Sequence, residues 1–165
     1  MGTRSLTVFE DHKQEICVLY RHMDGYPTGH GADLKDFLKA FRVVNGLASG
    51  RSRIANGMDC LAAQVVAHFK KEPGSFYLQP AGTRDCGEEF IYTLYCPNKT
   101  GPVHLKVQAG VTTYFGLPGT KQHNMPVLFD GPIAKFNPQK AEQLYHELRA
   151  KIPNDYLESK KGEAH

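Results

Sequence analysis

Short β-prone runs open the chain. Leu6-Thr-Val-Phe9 and Ile16-Cys-Val-Leu-Tyr-Arg21 flank the polar Glu10-Asp-His-Lys-Gln-Glu15, which predicts a β-hairpin closed by a loop of four to six residues. On the second strand Ile16, Val18, Tyr20 and His22 share one face, and Cys17, Leu19 and Arg21 share the other. Both faces stay apolar almost to the end, as expected of an interior strand. Apolar positions then recur at Leu34, Phe37, Leu38, Phe41 and Val44, with Lys35, Asp36, Lys39 and Arg42 opposite. That spacing predicts a helix from Asp33 to Val44, stopped by Asn45-Gly46. A small-residue loop over 47–55 follows. A second helix fits Asn56 or Gly57 to Lys71, burying Met58, Leu61, Ala62, Val65, Val66 and Phe69, and Pro73-Gly74 ends it.

The second half reads as strands over Phe76–Gln79, Glu89–Cys96 and Val103–Ala109, with connections that suit antiparallel neighbours. Residues 111–125 read as a loop after a short strand or bulge. Val127–Phe129 and Ile133–Phe136 read as a last bent strand. Asn137 is a good N-cap and Pro138 a good first residue for a closing helix, with Ala141, Leu144, Tyr145, Leu148 and Ile152 inward and Pro153 as its stop. The order implies an α+β fold: a mostly antiparallel sheet with three helices packed on one face. Residues 1–153 form one domain in this reading, and 154–165 a polar tail.

The 165 residues suit a single core. Their formal charge of +3 permits an anionic partner without requiring one. No run approaches the length of a membrane span and no apolar leader segment stands at the start, so a cytoplasmic, membrane-free protein is expected. Cys17, Cys60, Cys86 and Cys96 contain no Cys-x-x-Cys pair and read as free, largely buried thiols.

Chemistry concentrates where the second strand meets the first helix. Arg21, His22, Asp24, Tyr26, His30 and Asp33 fall within fourteen positions, among Gly25, Gly29 and Gly31. Glycines allow positive φ and a close approach of ligand to backbone. A helix start behind them offers unpaired N–H groups to an anion. Arg21, with Arg51 and Arg53 from the 47–55 loop, supplies positive charge. A ligand-binding set of Arg21, His22, Asp24, Tyr26, Gly29, His30, Gly31, Arg51 and Arg53 follows, for a nucleotide, nucleic acid or other phosphate or carboxylate compound. Asp33 competes with it, because a carboxylate capping the helix takes the same N–H groups.

Two other readings use the same residues. His22, Asp24 and His30 are acceptable zinc or manganese ligands, which gives a metal-assisted hydrolase. Alternatively the stretch binds nothing and is an elaborate strand-to-helix connector. Elsewhere, Asp85-Cys-Gly-Glu-Glu89 reads as a solvated acidic turn. Tyr77, Tyr92, Tyr95 and Tyr114 lack the interleaved Lys and Arg of a base-stacking surface, and read as core or sheet packing. Exposed tyrosines and a free sheet edge also allow a protein–protein module. No nucleophile elbow or Cys–His signature marks a covalent enzyme, and no cofactor motif stands out.

Tyr20-Arg-His-Met-Asp-Gly-Tyr-Pro-Thr-Gly-His-Gly31, with Phe37-Leu38 on the following helix and a later Asp85-x-Gly-x-Glu-Phe-x-Tyr92, resembles a family of short uncharacterised proteins of bacteria and their phages. The likeness covers the first hundred residues, and the last third only loosely. It transfers no activity. It implies a phage or mobile-element setting, where small proteins bind a host protein, nucleic acid or a signalling nucleotide.

Overall fold

The computed structural model describes residues 2–46, 53–110 and 125–151. Its first two strands, β1 (Ser5–Asp11) and β2 (Gln14–Arg21), run longer than their apolar patterns. The hairpin loop is therefore only His12-Lys13, both with positive φ (48° and 65°), not four to six residues. A tight turn of that hand matches the twist of the paired strands, which is why they extend into polar sequence.

Helix α1 covers Ala32–Leu38 and stops a turn and a half short of the predicted end. Arg42–Val44 leaves the helical path as strand β3, which pairs parallel with β4 (Ile54–Asn56) and antiparallel with β7 (Gly101–Pro102). The β-branched Val43-Val44 pair suits a strand, and Phe41 and Val43 are still buried. Helical periodicity therefore ran on through residues that reach the core by another route. Helix α2 (Gly57–Phe69) follows as predicted.

Strands β5 (Phe76–Pro80), β6 (Phe90–Tyr95), β8 (His104–Ala109) and β9 (Val127–Pro132) complete the main sheet. Its order is β5-β2-β1-β6-β8-β9. Four of its neighbouring pairs are antiparallel, but β1 and β6 are parallel. So β5 and β6 are not antiparallel neighbours; β2 and β1 lie between them. The connection returns over the sheet face opposite the helices, where Cys86 packs on the cluster of Leu6, Val8, Val18 and Ile91, and it is tied at its start by Gly82 N–H to Glu15 Oε2 at 2.7 Å and by the Arg84–Glu15 ion pair. The bent strand expected over Ile133–Phe136 is a 3-10 turn at Ile133–Lys135 after β9. Helix α3 (Pro138–Ala150) begins as read: Asn137 Oδ1 accepts the Lys140 N–H at 3.0 Å. The predicted positions of residues 111–124, Arg51 and Ile152 lie outside the described residues.

The fold is α+β, with three helices on one face of a six-stranded mixed sheet and a second, three-stranded sheet beside it. The main core holds Phe9, Leu19, Phe90, Tyr92, Leu94, Leu105 and Val107 from that face against Leu34, Leu38, Leu61, Val65 and Tyr145 from the helices. Leu6, Val8, Val18, Ile91 and Met125 form a smaller cluster on the other face. No described helix is long and apolar enough to cross a membrane.

Candidate functional site

Strand alternation divides the ionisable stretch before any loop geometry acts. Arg21 follows Leu19 on the helix-bearing face, while His22 follows Tyr20 on the other. Thr7 pairs with Leu19 on one side and Tyr92 on the other, so its hydroxyl lies under the helices.

His30 is lowered onto that hydroxyl by a π-helical turn, Pro27–Gly31, that runs straight into α1. Its ring is fully buried, packed edge-on against Phe69 and Tyr92 and obliquely against Phe76. Thr7 Oγ1 sits 2.7 Å from Nε2, and Arg21 Nη1 sits 3.0 Å from Nδ1. A guanidinium only donates, so Nδ1 accepts and the ring proton resides on Nε2, donated to Thr7. Burial first, and the Arg21 charge second, hold His30 well below the usual imidazole range. Arg21 goes on to Asp33 Oδ2 at 2.7 Å and donates Nε to Met23 O at 2.7 Å, with its guanidinium over Phe76 at 5.2 Å. A continuous chain, Thr7–His30–Arg21–Asp33, thus runs from the sheet to the surface of α1.

The loop around this chain closes on itself. Gly25, Gly29 and Gly31 do not take positive φ; Asp24 does, at 56°. They are glycines because protein atoms press on them. A Cβ on Gly29 falls 2.5 Å from Asp24 O, and one on Gly25 falls 2.8 Å from the Arg4 and Ser5 backbone. Close approach is therefore to the chain's own backbone. The helix-start donors are used as well: the Ala32 N–H reaches Gly29 O and Pro27 O. Asp33 does not cap the helix but holds Arg21. Tyr92 donates its hydroxyl to Gly25 O at 2.8 Å, and Thr28 donates both N–H and hydroxyl to Glu142 of α3. Tyr26 O accepts the Gly29 N–H at 3.0 Å.

His22, Asp24 and His30 do not converge. His22 is exposed, its Nδ1 2.9 Å from Tyr20 Oη, on the sheet face opposite His30. Asp24 is exposed and its main-chain oxygen accepts the His30 N–H. Among the described residues no group of three His, Cys, Asp or Glu side chains is placed to hold a metal ion.

The chain ends at a cleft of about 440 Å³ between α1 and α2. Its walls are Asp33, Asp36, Phe37, Phe41, Arg53, His68 and Phe69. Both acids are already matched: Asp33 by Arg21, and Asp36 by Lys39 at 3.1 Å. Arg53, held at φ 69° beside β4, has no ion-pair partner among the described residues. Of the residues expected to bind, the structure brings Arg53 to one cleft with Asp33, adjoining Arg21. It withdraws His30, Gly25, Gly29 and Gly31 into the packing. Thr7, Asp36, Phe37, Phe41, His68 and Phe69 were not among the expected site residues. Phe37 and Phe41 share a helical face in sequence, which signals burial; their meeting with His68 depends on how α1 and α2 pack.

Tyr92 is buried, and Tyr95 donates to Asp130 at 2.5 Å. Tyr77 lies half-exposed on β5, and Tyr114 is outside the described residues. The acidic turn is only partly solvated: Glu88 is buried and accepts the Cys86 N–H at 3.1 Å, and burial pushes both Glu88 and Glu89 up. All four cysteines are free and partly buried, with burial raising the Cys17, Cys86 and Cys96 thiols.

No family model, no curated protein and no solved structure matches the chain.

Proposed function

We propose that this protein is a non-enzymatic binding protein for a small anionic ligand carrying phosphate or carboxylate, and that its site is the α1–α2 cleft. The observation that carries this reading is Arg53. It lines an aromatic-walled cleft in which each carboxylate already has a cation, so the local balance is one positive charge in excess. A guanidinium beside low-polarity walls binds an anion more strongly than one in open water. The Thr7–His30–Arg21–Asp33 chain acts as scaffold, setting where Asp33 stands. A thermal-shift titration with inorganic phosphate, pyrophosphate and citrate tests the reading. Stabilisation of the wild type that disappears in Arg53→Gln is expected; no shift with any of these anions overturns it.

A second reading, a protein–protein module, has one observation behind it. β5 is an edge strand without a charged side chain, and Tyr77 and Leu78 on it are 46% and 62% exposed. Such an edge invites pairing with another strand. Light scattering on the wild type and Leu78→Lys tests it: a wild-type assembly that the lysine dissociates is expected, and a wild-type monomer at all concentrations counts against self-pairing.

A further inference from the structure

Two rings in the cleft wall lie nearly flat on each other. The Phe37 and His68 centroids are 3.8 Å apart with 7° between the planes. Phe41 meets Phe37 obliquely at 4.9 Å and Phe69 meets it edge-on at 6.2 Å, bracing it from the core side. His68 is exposed, so the stack ends in an accessible aromatic surface. A flat ring is the partner that gains most from such a surface.

The carboxylates add a second preference. Asp33 gives Oδ2 to Arg21, and Asp36 gives Oδ1 to Lys39. Each keeps its other oxygen clear of the described residues, as an acceptor for N–H groups. The two stand three residues apart on α1, on one side of the helix. Arg53 supplies the cation. The cleft thus combines a stacking surface, N–H acceptors and one guanidinium. Its volume of about 440 Å³ lies in the range of small-molecule sites.

We infer that the anionic ligand is a nucleoside monophosphate; this rests on the anion-binding reading above. The base stacks on the Phe37–His68 pair, its N–H donors meet Asp33 and Asp36, and the phosphate meets Arg53. A sugar phosphate uses only Arg53. An uncharged nucleoside leaves Arg53 without a counter-charge. A longer strand carries further phosphates, and among the described residues the cleft wall offers them no cation besides Arg53, so the fit is to a single nucleotide.

Isothermal titration of the full chain with GMP, AMP, ribose 5-phosphate and a short single-stranded oligonucleotide tests this. GMP or AMP is expected to bind at least about tenfold more tightly than ribose 5-phosphate, the order of gain that one base–aromatic stack supplies. His68→Ala is expected to reduce that ratio towards one while leaving ribose 5-phosphate binding unchanged. Phe37→Leu acts in the same direction; because Phe37 is half-buried, the exposed His68 variant decides the matter if the Leu variant fails to fold. Equal affinity for nucleotides and ribose 5-phosphate overturns the ligand class and leaves the anion reading standing. Tighter binding of the oligonucleotide overturns the single-nucleotide fit. Binding of none of the four overturns both proposals.

Discussion

Arg21 and His30 meet at 3.0 Å, Nη1 to Nδ1, and this contact selects which nitrogen of the buried ring carries its proton, while burial first and the Arg21 charge second disfavour a second proton. A second proton on His30 would point one N–H at another, next to a positive charge and in a site closed to water. The folded protein therefore holds His30 neutral.

Stability should consequently fall on acidification. The unfolded chain protonates its histidines near the ordinary value of 6.5, while the folded chain leaves His30 unprotonated until well below it. Between those two values the unfolded state binds more protons, so the His30 contribution is complete above the ordinary value and declines as pH drops through it. One proton gives a slope of up to about 1.4 kcal/mol per pH unit. Glu88 and Glu89, pushed up by burial, act in the opposite direction, but they are common to wild type and variant. Urea unfolding across this range should show a shallower acid loss in His30→Gln, whose amide can still accept from Arg21 and donate to Thr7. Identical slopes in the two chains would contradict the neutral-ring assignment.

Arg21→Met should cost about 1–3 kcal/mol, because it strands the His30 acceptor and the Met23 carbonyl as well as Asp33. Arg21→Lys should recover part of this: an ammonium keeps the charge but lacks the planar fork that reaches three acceptors at once. Chemical denaturation midpoints in the order wild type, Lys, Met are expected. A Met variant as stable as wild type would remove the chain's structural role.

Gly29→Ala should destabilise by about 1–3 kcal/mol through overpacking. Its Cβ meets the rigid Asp24 carbonyl at 2.5 Å, whereas the Cβ of Gly31→Ala meets the Phe136 and Tyr92 rings at 3.1 Å and 3.2 Å. Rings can yield by a few tenths of an ångström, so the Gly31 variant should lose less. Thermal midpoints of the two variants, compared side by side, check the order; the reverse order would mean that the π-helical turn relaxes more easily than its contacts indicate.

The His12-Lys13 turn offers a gain. Both residues are held at positive φ, which costs an ordinary L-residue about 1 kcal/mol or more. His12→Asn with Lys13→Gly places the pair this turn type prefers and should raise the melting temperature. Both side chains lie on the turn surface, so an unchanged or lowered value would show that the turn carries no strain to relieve.

Local signals carried much of the fold. Short β-prone runs located β1, β2, β6 and β8, an apolar stripe located α2 and α3, and the Asn137-Pro138 pair located the beginning of α3 to the residue. These features are decided within a few neighbours along the chain, where burial period and backbone hydrogen bonding act together. The split of Arg21 from His22 also follows from alternation alone, because successive strand residues face opposite sides.

Other features depended on partners distant in sequence. Arg42–Val44 reads as helix until β4 and β7 offer it a ladder. The parallel β1–β6 pairing needs a crossover over two strands that no turn motif announces. The glycines of the 25–31 loop are equally suited to a ligand or to the chain's own backbone, and only the positions of Arg4, Ser5 and Asp24 select the second. The sequence by itself determined the element types and the crowding of ionisable groups near residue 30. Tertiary packing alone decided which of those groups became interior and which reached a cleft, because burial of a polar side chain depends on the acceptors and donors that distant strands and helices bring to it.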